Sequence, residues 1–175
     1  MTSSTAAKLA AVVMGVSGSG KTTVADLLSA RLGWPVAEAD DFHSAANKQK
    51  MSSGVPLTDA DRQPWLQSLR EWIDEADGDV ILTCSALKRA YRDVLRTADA
   101  RVVFLHLAGS PQLLADRMQH RTGHFMPTSL LESQLATLEP LQSDEDGTEI
   151  DVAHPPEEIV RLALEFLDRE QEVAG

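Results

Sequence analysis

Apolar runs alternate with helix-period stretches along almost the whole chain. Strands are predicted at 9–14, 35–39, 79–84, 101–107 and 148–152. Helices are predicted near 21–32, 61–76, 86–97, 110–120, 129–138 and 156–170. The runs Val80-Ile81-Leu82 and Val102-Val103-Phe104-Leu105 are continuous rather than alternating, the pattern of strands covered on both faces in a parallel sheet. Strands alternating with helices in this way predict a three-layer α/β fold. Trp65, Leu66, Leu69, Trp72 and Ile73 recur at helical spacing and are predicted to be core. Two segments break the pattern. Residues 42–60 are polar and rich in turn formers, and Arg-Thr-Gly-His-Phe-Met-Pro-Thr at 121–128 interrupts a helical stretch with Gly and Pro. In an open α/β sheet ligands bind beyond the carboxyl ends of the strands, so both segments are placed to cover a site.

The length of 175 residues suits one domain with its own core. No apolar run reaches the length of a membrane span, and Met1-Thr2-Ser3-Ser4-Thr5 is unlike a signal peptide. Cys84 stands alone, at the end of an apolar run, as a buried structural thiol suited to a reducing cytoplasm. The net charge of −11 is unevenly spread: residues 139–175 hold twelve acids against two bases, the rest fifteen against fourteen. The acidic stretch reads as a solvated face, and it argues against a nucleic-acid partner. It also makes local groups of Lys and Arg elsewhere more informative.

Residues 15–22 read Gly-Val-Ser-Gly-Ser-Gly-Lys-Thr, a complete G-x-x-x-x-G-K-[ST] phosphate-binding loop between a predicted strand and a predicted helix. Its candidate ligand groups are Gly15, Val16, Ser17, Gly18, Ser19, Gly20, Lys21, Thr22 and Thr23. Glycines let the backbone wrap a phosphate chain, and N–H groups at the helix start point at it. Lys21 would reach the β- and γ-phosphates, and the Thr22 hydroxyl would ligate Mg²⁺. The run 79–84 ends Leu82-Thr83-Cys84-Ser85 without an acid, and Asn47-Lys48-Gln49-Lys50 lacks the Asp of a guanine-reading motif. Both facts disfavour a motor or a GTPase and leave a small phosphotransferase.

Asp40 and Asp41 close the second strand candidate. Asp40 there either caps the following turn or orients and deprotonates an acceptor hydroxyl while helping to hold hydrated Mg²⁺. His43 is either a donor to a polar substrate or a plain loop histidine. Ser85 is the expected N-cap of the helix at 86–97. Lys88, Arg89 and Arg92 then fall in its first two turns, where the helix dipole disfavours cations. Either they are exposed side chains snorkelling to solvent, or an anion, a substrate carboxylate or a transferring phosphate, sits opposite them. Arg117 and Arg121 share a helix face before the Gly-containing break. They are a surface pair, or they stabilise the charge of phosphoryl transfer as part of a lid.

The combination of GVSGSGKTT at 15–23, Asp40-Asp41-Phe42-His43 with Asn47, Pro56-Leu57-Thr58-Asp59 with Asp61-Arg62-Gln63-Pro64-Trp65, Cys84-Ser85-Ala86-Leu87-Lys88-Arg89 with Tyr91-Arg92-Asp93, and His124-Phe125-Met126-Pro127 resembles the gluconate kinases of the small P-loop type. The resemblance covers roughly residues 9–170. It implies a five-stranded parallel sheet flanked by helices in one domain spanning 1–175, a helical substrate-binding insert at 42–66 and a lid at about 117–138. It further implies ATP- and Mg²⁺-dependent transfer to the 6-hydroxyl of D-gluconate by a cytoplasmic homodimer. On this pattern Lys21, Asp40, Arg117 and Arg121 are catalytic, and Thr22 and Asp40 attend the metal. Asp40, His43, Asn47, Arg62, Lys88, Arg89, Arg92 and His124 face the sugar acid, and the 152–156 loop flanks adenine. Two positions depart from many relatives: Ser44 stands in place of Pro and Glu38 in place of Asp. The alternatives are a kinase of another hydroxy acid such as shikimate, or of a nucleoside monophosphate, and a silent nucleotide-binding regulator.

Overall fold

A computed structural model describes residues 8–119 and 128–174. Five strands, β1 (Leu9–Met14), β2 (Val36–Glu38), β3 (Val80–Thr83), β4 (Arg101–Ala108) and β5 (Gly147–Asp151), form one sheet in the order β2-β3-β1-β4-β5. Every pairing is parallel. The helices are α1 (Lys21–Leu32), α2 (Ala45–Ser52), α3 (Asp59–Glu75), α4 (Arg89–Arg96), α5 (Pro111–Gln119), α6 (Thr128–Thr137) and α7 (Pro156–Ala174). Each predicted strand is present within two residues of its predicted ends.

The continuous apolar runs have the cause inferred for them. In β1, Leu9, Ala11 and Val13 join one buried cluster with Val24 and Leu28 of α1 and Ala163 and Leu167 of α7. Ala10, Val12 and Met14 join a second with Leu66, Leu69 and Ile73 of α3 and Leu95 of α4. Both faces of the strand are dry, so all six residues are apolar. Cys84 is buried as expected, and burial pushes its thiol pKa up to about 12.

Two local predictions are corrected. Ser85 does not cap a helix: α4 begins three residues later than predicted, with Lys88 at its N-cap. The chain between β3 and α4 instead turns through Ala86 at φ 45°, and the Ser85 carbonyl accepts from the Gly15 N–H at 3.3 Å. The polar stretch 42–60 contains a helix, α2, that apolar periodicity did not reveal. Ser44 caps it by accepting from the Asn47 N–H at 3.1 Å.

Candidate active site

The phosphate loop leaves the central strand and runs straight into α1. Gly15 (φ 149°) and Gly18 (φ 84°) hold backbone conformations that disfavour side chains. A Cβ on Gly15 would stand 2.8 Å from the Leu107 carbonyl of β4, and one on Gly18 would stand 2.7 Å from the Met118 side chain of α5. The loop is therefore seated on β4 and α5 as well as on its own strand. Gly15→Ala is expected to destabilise the fold by about 2 kcal/mol, from an unfavourable φ and a backbone clash, read as a lower urea midpoint. Gly20 caps α1 with no side-chain hydrogen bond, so no protein side chain takes the cap position an anion would use. The buried Ser19 hydroxyl has no partner among the described residues. Lys21 Nζ is drawn over the loop by the carbonyls of Gly15 (3.0 Å) and Val16 (3.2 Å).

Asp40 lies in a single 3-10 turn, Ala39–Phe42, directly after β2. A chain of side-chain contacts holds that turn. The Trp65 indole N–H donates to the Ala39 carbonyl at 2.7 Å, and the His43 ring stacks on Trp65 with centroids 4.2 Å apart. Asn47 Nδ2 sits 3.3 Å from His43 Nδ1 and donates to the Asp61 carbonyl at 2.9 Å. Asp61 closes a capping box with Thr58 at the start of α3, and its carboxylate also takes Lys50 of α2 at 3.0 Å. The hydrogen bond with Thr58 and the bond to Lys50 hold the Asp61 carboxyl below its usual range.

Burial is the main cause that lowers the His43 pKa; Asp40 opposes it, and Arg62 and Lys48 add to it. The ring is thus neutral near pH 7. With the Asn47 amide beside Nδ1, the proton is assigned to Nε2, which leaves a donor for a hydroxyl. Asp40 and Lys21 both act electrostatically on the Cys84 thiol at the end of β3. Asp40 follows β2 and Lys21 follows the loop after β1; with the parallel strand β3 between those two strands, both stand at the carboxyl edge of the sheet, where ligands of open α/β folds bind.

Lys88 and Arg62 converge too. Arg62 donates to the Tyr91 hydroxyl at 3.0 Å, Tyr91 donates to Asp59 at 2.7 Å, and Lys88 bonds Asp59 at 3.3 Å. Both cations lie over the Tyr91 ring, 5.4 and 5.6 Å from its centroid. Tyr91 and Asp59 fall inside the segments expected to form the site, 85–92 and 42–66, but without a named role. That role is seen only when α3 and α4 are side by side.

Arg89 and Arg92 are a correction. Arg92 is completely buried: it is paired with Glu145 at 3.0 Å and donates to the carbonyls of Ala86, Leu87 and Pro140. Arg89 makes a two-pronged contact with Asp144 at 2.7 and 2.8 Å and bonds Asp93 at 3.0 Å. The anion opposite these misplaced cations belongs to the chain itself. For the same reason the acidic stretch is not wholly a solvated face, since Glu145 is buried. Arg117 donates to the Val152 carbonyl at 2.5 Å, which holds it against the 152–156 loop. Arg121 and His124 lie outside the described residues.

The oxygen donors suit Mg²⁺, which takes few protein ligands and completes its shell with phosphates and water. Thr22, in the first turn of α1, and Asp40, just after β2, are both exposed, whereas the Glu38 carboxylate is taken by the Thr83 hydroxyl. Among the described residues no three His, Cys, Asp or Glu group together to hold a metal unaided.

A phosphate loop after the central strand of a parallel sheet, with a carboxylate after the strand one place beyond its neighbour, defines a small P-loop kinase. The family model for shikimate kinase matches residues 17–168. The chain is 54% identical over 162 residues to a gluconokinase from Gluconobacter oxydans, covering 91% of each. A solved gluconokinase from Sinorhizobium meliloti superposes with a TM-score of 0.85 at 48% identity, over 93% of both chains. A solved sugar kinase from Janibacter superposes with a TM-score of 0.87 at 53% identity, over 96% of this chain and 99% of that one. The chain belongs to the gluconokinase family.

Proposed function

We propose that this chain transfers the γ-phosphoryl group of ATP to the 6-hydroxyl of D-gluconate, forming 6-phospho-D-gluconate and ADP. The observation that carries the reading is 54% identity across nine-tenths of both chains to a gluconokinase. The geometry agrees with it. A linear polyol with one carboxylate needs a cation for that end, hydroxyl partners along its length and a base at the reacting hydroxyl. Lys88 and Arg62 supply the cations, His43 and Asn47 the hydroxyl partners, and Asp40 the base. Arg92, which has no exposed surface, and Arg89, which is clamped by Asp144 and less exposed than Lys88 or Arg62, are left out of the substrate site.

In the reaction the acceptor oxygen bonds to the γ-phosphorus as the bond to the β-phosphate bridging oxygen breaks, and the hydroxyl proton passes to Asp40. The loop N–H groups and Lys21 hold the donor phosphates. Arg117, and Arg121 by the family pattern, add positive charge where negative charge spreads in the transition state. Mg²⁺, held by Thr22 and Asp40, would neutralise phosphate charge. The same reading makes the protein a cytoplasmic homodimer. No described helix is long and apolar enough to cross a membrane.

The test is ADP release, followed by a coupled assay, with D-gluconate, shikimate and nucleoside monophosphates as acceptors. D-Gluconate alone is expected to accelerate it. Acceleration by shikimate without D-gluconate would overturn the assignment, and ATP binding with no acceptor effective would favour a silent regulator.

A further inference from the structure

We infer that Gln134 is a positioning residue for the donor nucleotide, acting through Ser17 of the phosphate loop. The side-chain amide of Gln134, on α6, grips Ser17 twice. Its Oε1 accepts from the Ser17 backbone N–H at 2.7 Å, and its Nε2 donates to the Ser17 hydroxyl at 3.0 Å. The two residues are 117 positions apart in sequence. Gln carries an acceptor and a donor on one planar group, the pair that an N–H and a hydroxyl on the same residue require.

The position of the grip gives it meaning. Val16 and Ser17 lie between Gly15 and Gly18, both at positive φ, so this corner is flanked by the residues that constrain the backbone least. A loop of that kind loses conformational entropy when it closes on phosphates, and a contact that holds it in shape beforehand reduces the loss. The grip also directs the Ser17 N–H to α6 rather than to a phosphate, so the loop binds its anion through its later N–H groups. The chain is anchored again two residues past the end of α6: the Glu139 N–H donates to the Leu87 carbonyl at 2.7 Å, and the Glu139 carboxylate accepts from the Arg89 N–H at 2.7 Å. The helix and the residues just after it thus brace the donor loop and the segment leading to Lys88.

The inference rests on nucleotide binding by the phosphate loop and not on the identity of the acceptor. It is tested by titrating a fluorescent ATP analogue without acceptor into wild type, Gln134→Met, Ser17→Ala and the double variant, with KM measured for both substrates. Met matches Gln in length and keeps the helix. Loss of both contacts is expected to weaken ATP binding about tenfold, the scale of a lost hydrogen bond, with the D-gluconate KM within about twofold of wild type. Ser17→Ala is expected to weaken binding less, and the double variant no more than Gln134→Met alone, because the residues act as one contact. Unchanged ATP affinity in Gln134→Met would overturn the inference, as would additive effects or an equal rise in both KM values. A contact that only stabilised the fold would lower Tm and leave affinity alone. Should Gln134→Met not fold, Gln134→Asn, too short to reach Ser17, takes its place with the same expectation. Wild type that binds the analogue but phosphorylates no D-gluconate would refute the proposed reaction and leave the Gln134 comparison intact.

Discussion

Asp40→Asn is expected to lower kcat by about two to four orders of magnitude, the range for losing a general base, while ATP still binds. The amide keeps the size and much of the hydrogen bonding of the carboxylate but cannot take the acceptor proton. The fold is not at stake. The Asp40 side chain is exposed, and what holds the turn is its carbonyl, which accepts from the His43 N–H at 3.4 Å, together with Trp65 on Ala39. Stopped-flow or coupled turnover alongside an ATP-analogue titration separates the two effects. Near-normal kcat would remove Asp40 from the chemistry.

Arg92→Ala is expected to unfold far more easily, with a loss of about 3–5 kcal/mol, the cost of stripping one partner from a buried ion pair. Both side chains are completely buried, so Glu145 would be left as an uncompensated charge. Three carbonyls would lose their donor as well, those of Ala86, Leu87 and Pro140. Urea unfolding measures the loss. Arg92→Met with Glu145→Leu is expected to recover a large part of it, since a matched apolar pair leaves no charge behind. The result also decides between two roles. An arginine that bound substrate would, on replacement, leave stability unchanged and raise the D-gluconate KM.

That contrast shows where sequence reasoning reached and where it stopped. Cations in the first turns of a helix point to an anion opposite, but the expected anion, a substrate carboxylate or a phosphate, is not the one the structure shows. The anions are Asp144 and Glu145, about fifty positions further on, and nothing local reveals that α4 packs against them. The strands were legible because two dry faces leave no room for polar residues. The helix α2 was not, because its order comes from the Ser44 cap, from Asn47 on Asp61 and from Lys50 on Asp61 rather than from an apolar stripe. The donor half of the site was legible because it is contiguous: one motif contains strand end, loop and helix start. On the acceptor side Asp40, His43, Asn47, Arg62 and Lys88 are candidates that the sequence alone supplies. Their supports, Trp65, Asp59, Asp61 and Tyr91, come from other elements, and their roles follow only from the packing.

The strand order has a consequence for how the molecule is made. Of the five strands β1 is made first, yet it lies at the centre of the sheet between β3 and β4. Its six apolar residues have no partner until residues 80–83 emerge, and none on the other edge until 101–108 emerge. At synthesis rates of roughly 5–20 residues per second, that wait lasts seconds. During it the segment that will carry the phosphate loop is an unpaired apolar strand. In nascent chains stopped before β4 the phosphate loop also lacks the strand it is seated against, because the Leu107 carbonyl beside Gly15 has not yet been made.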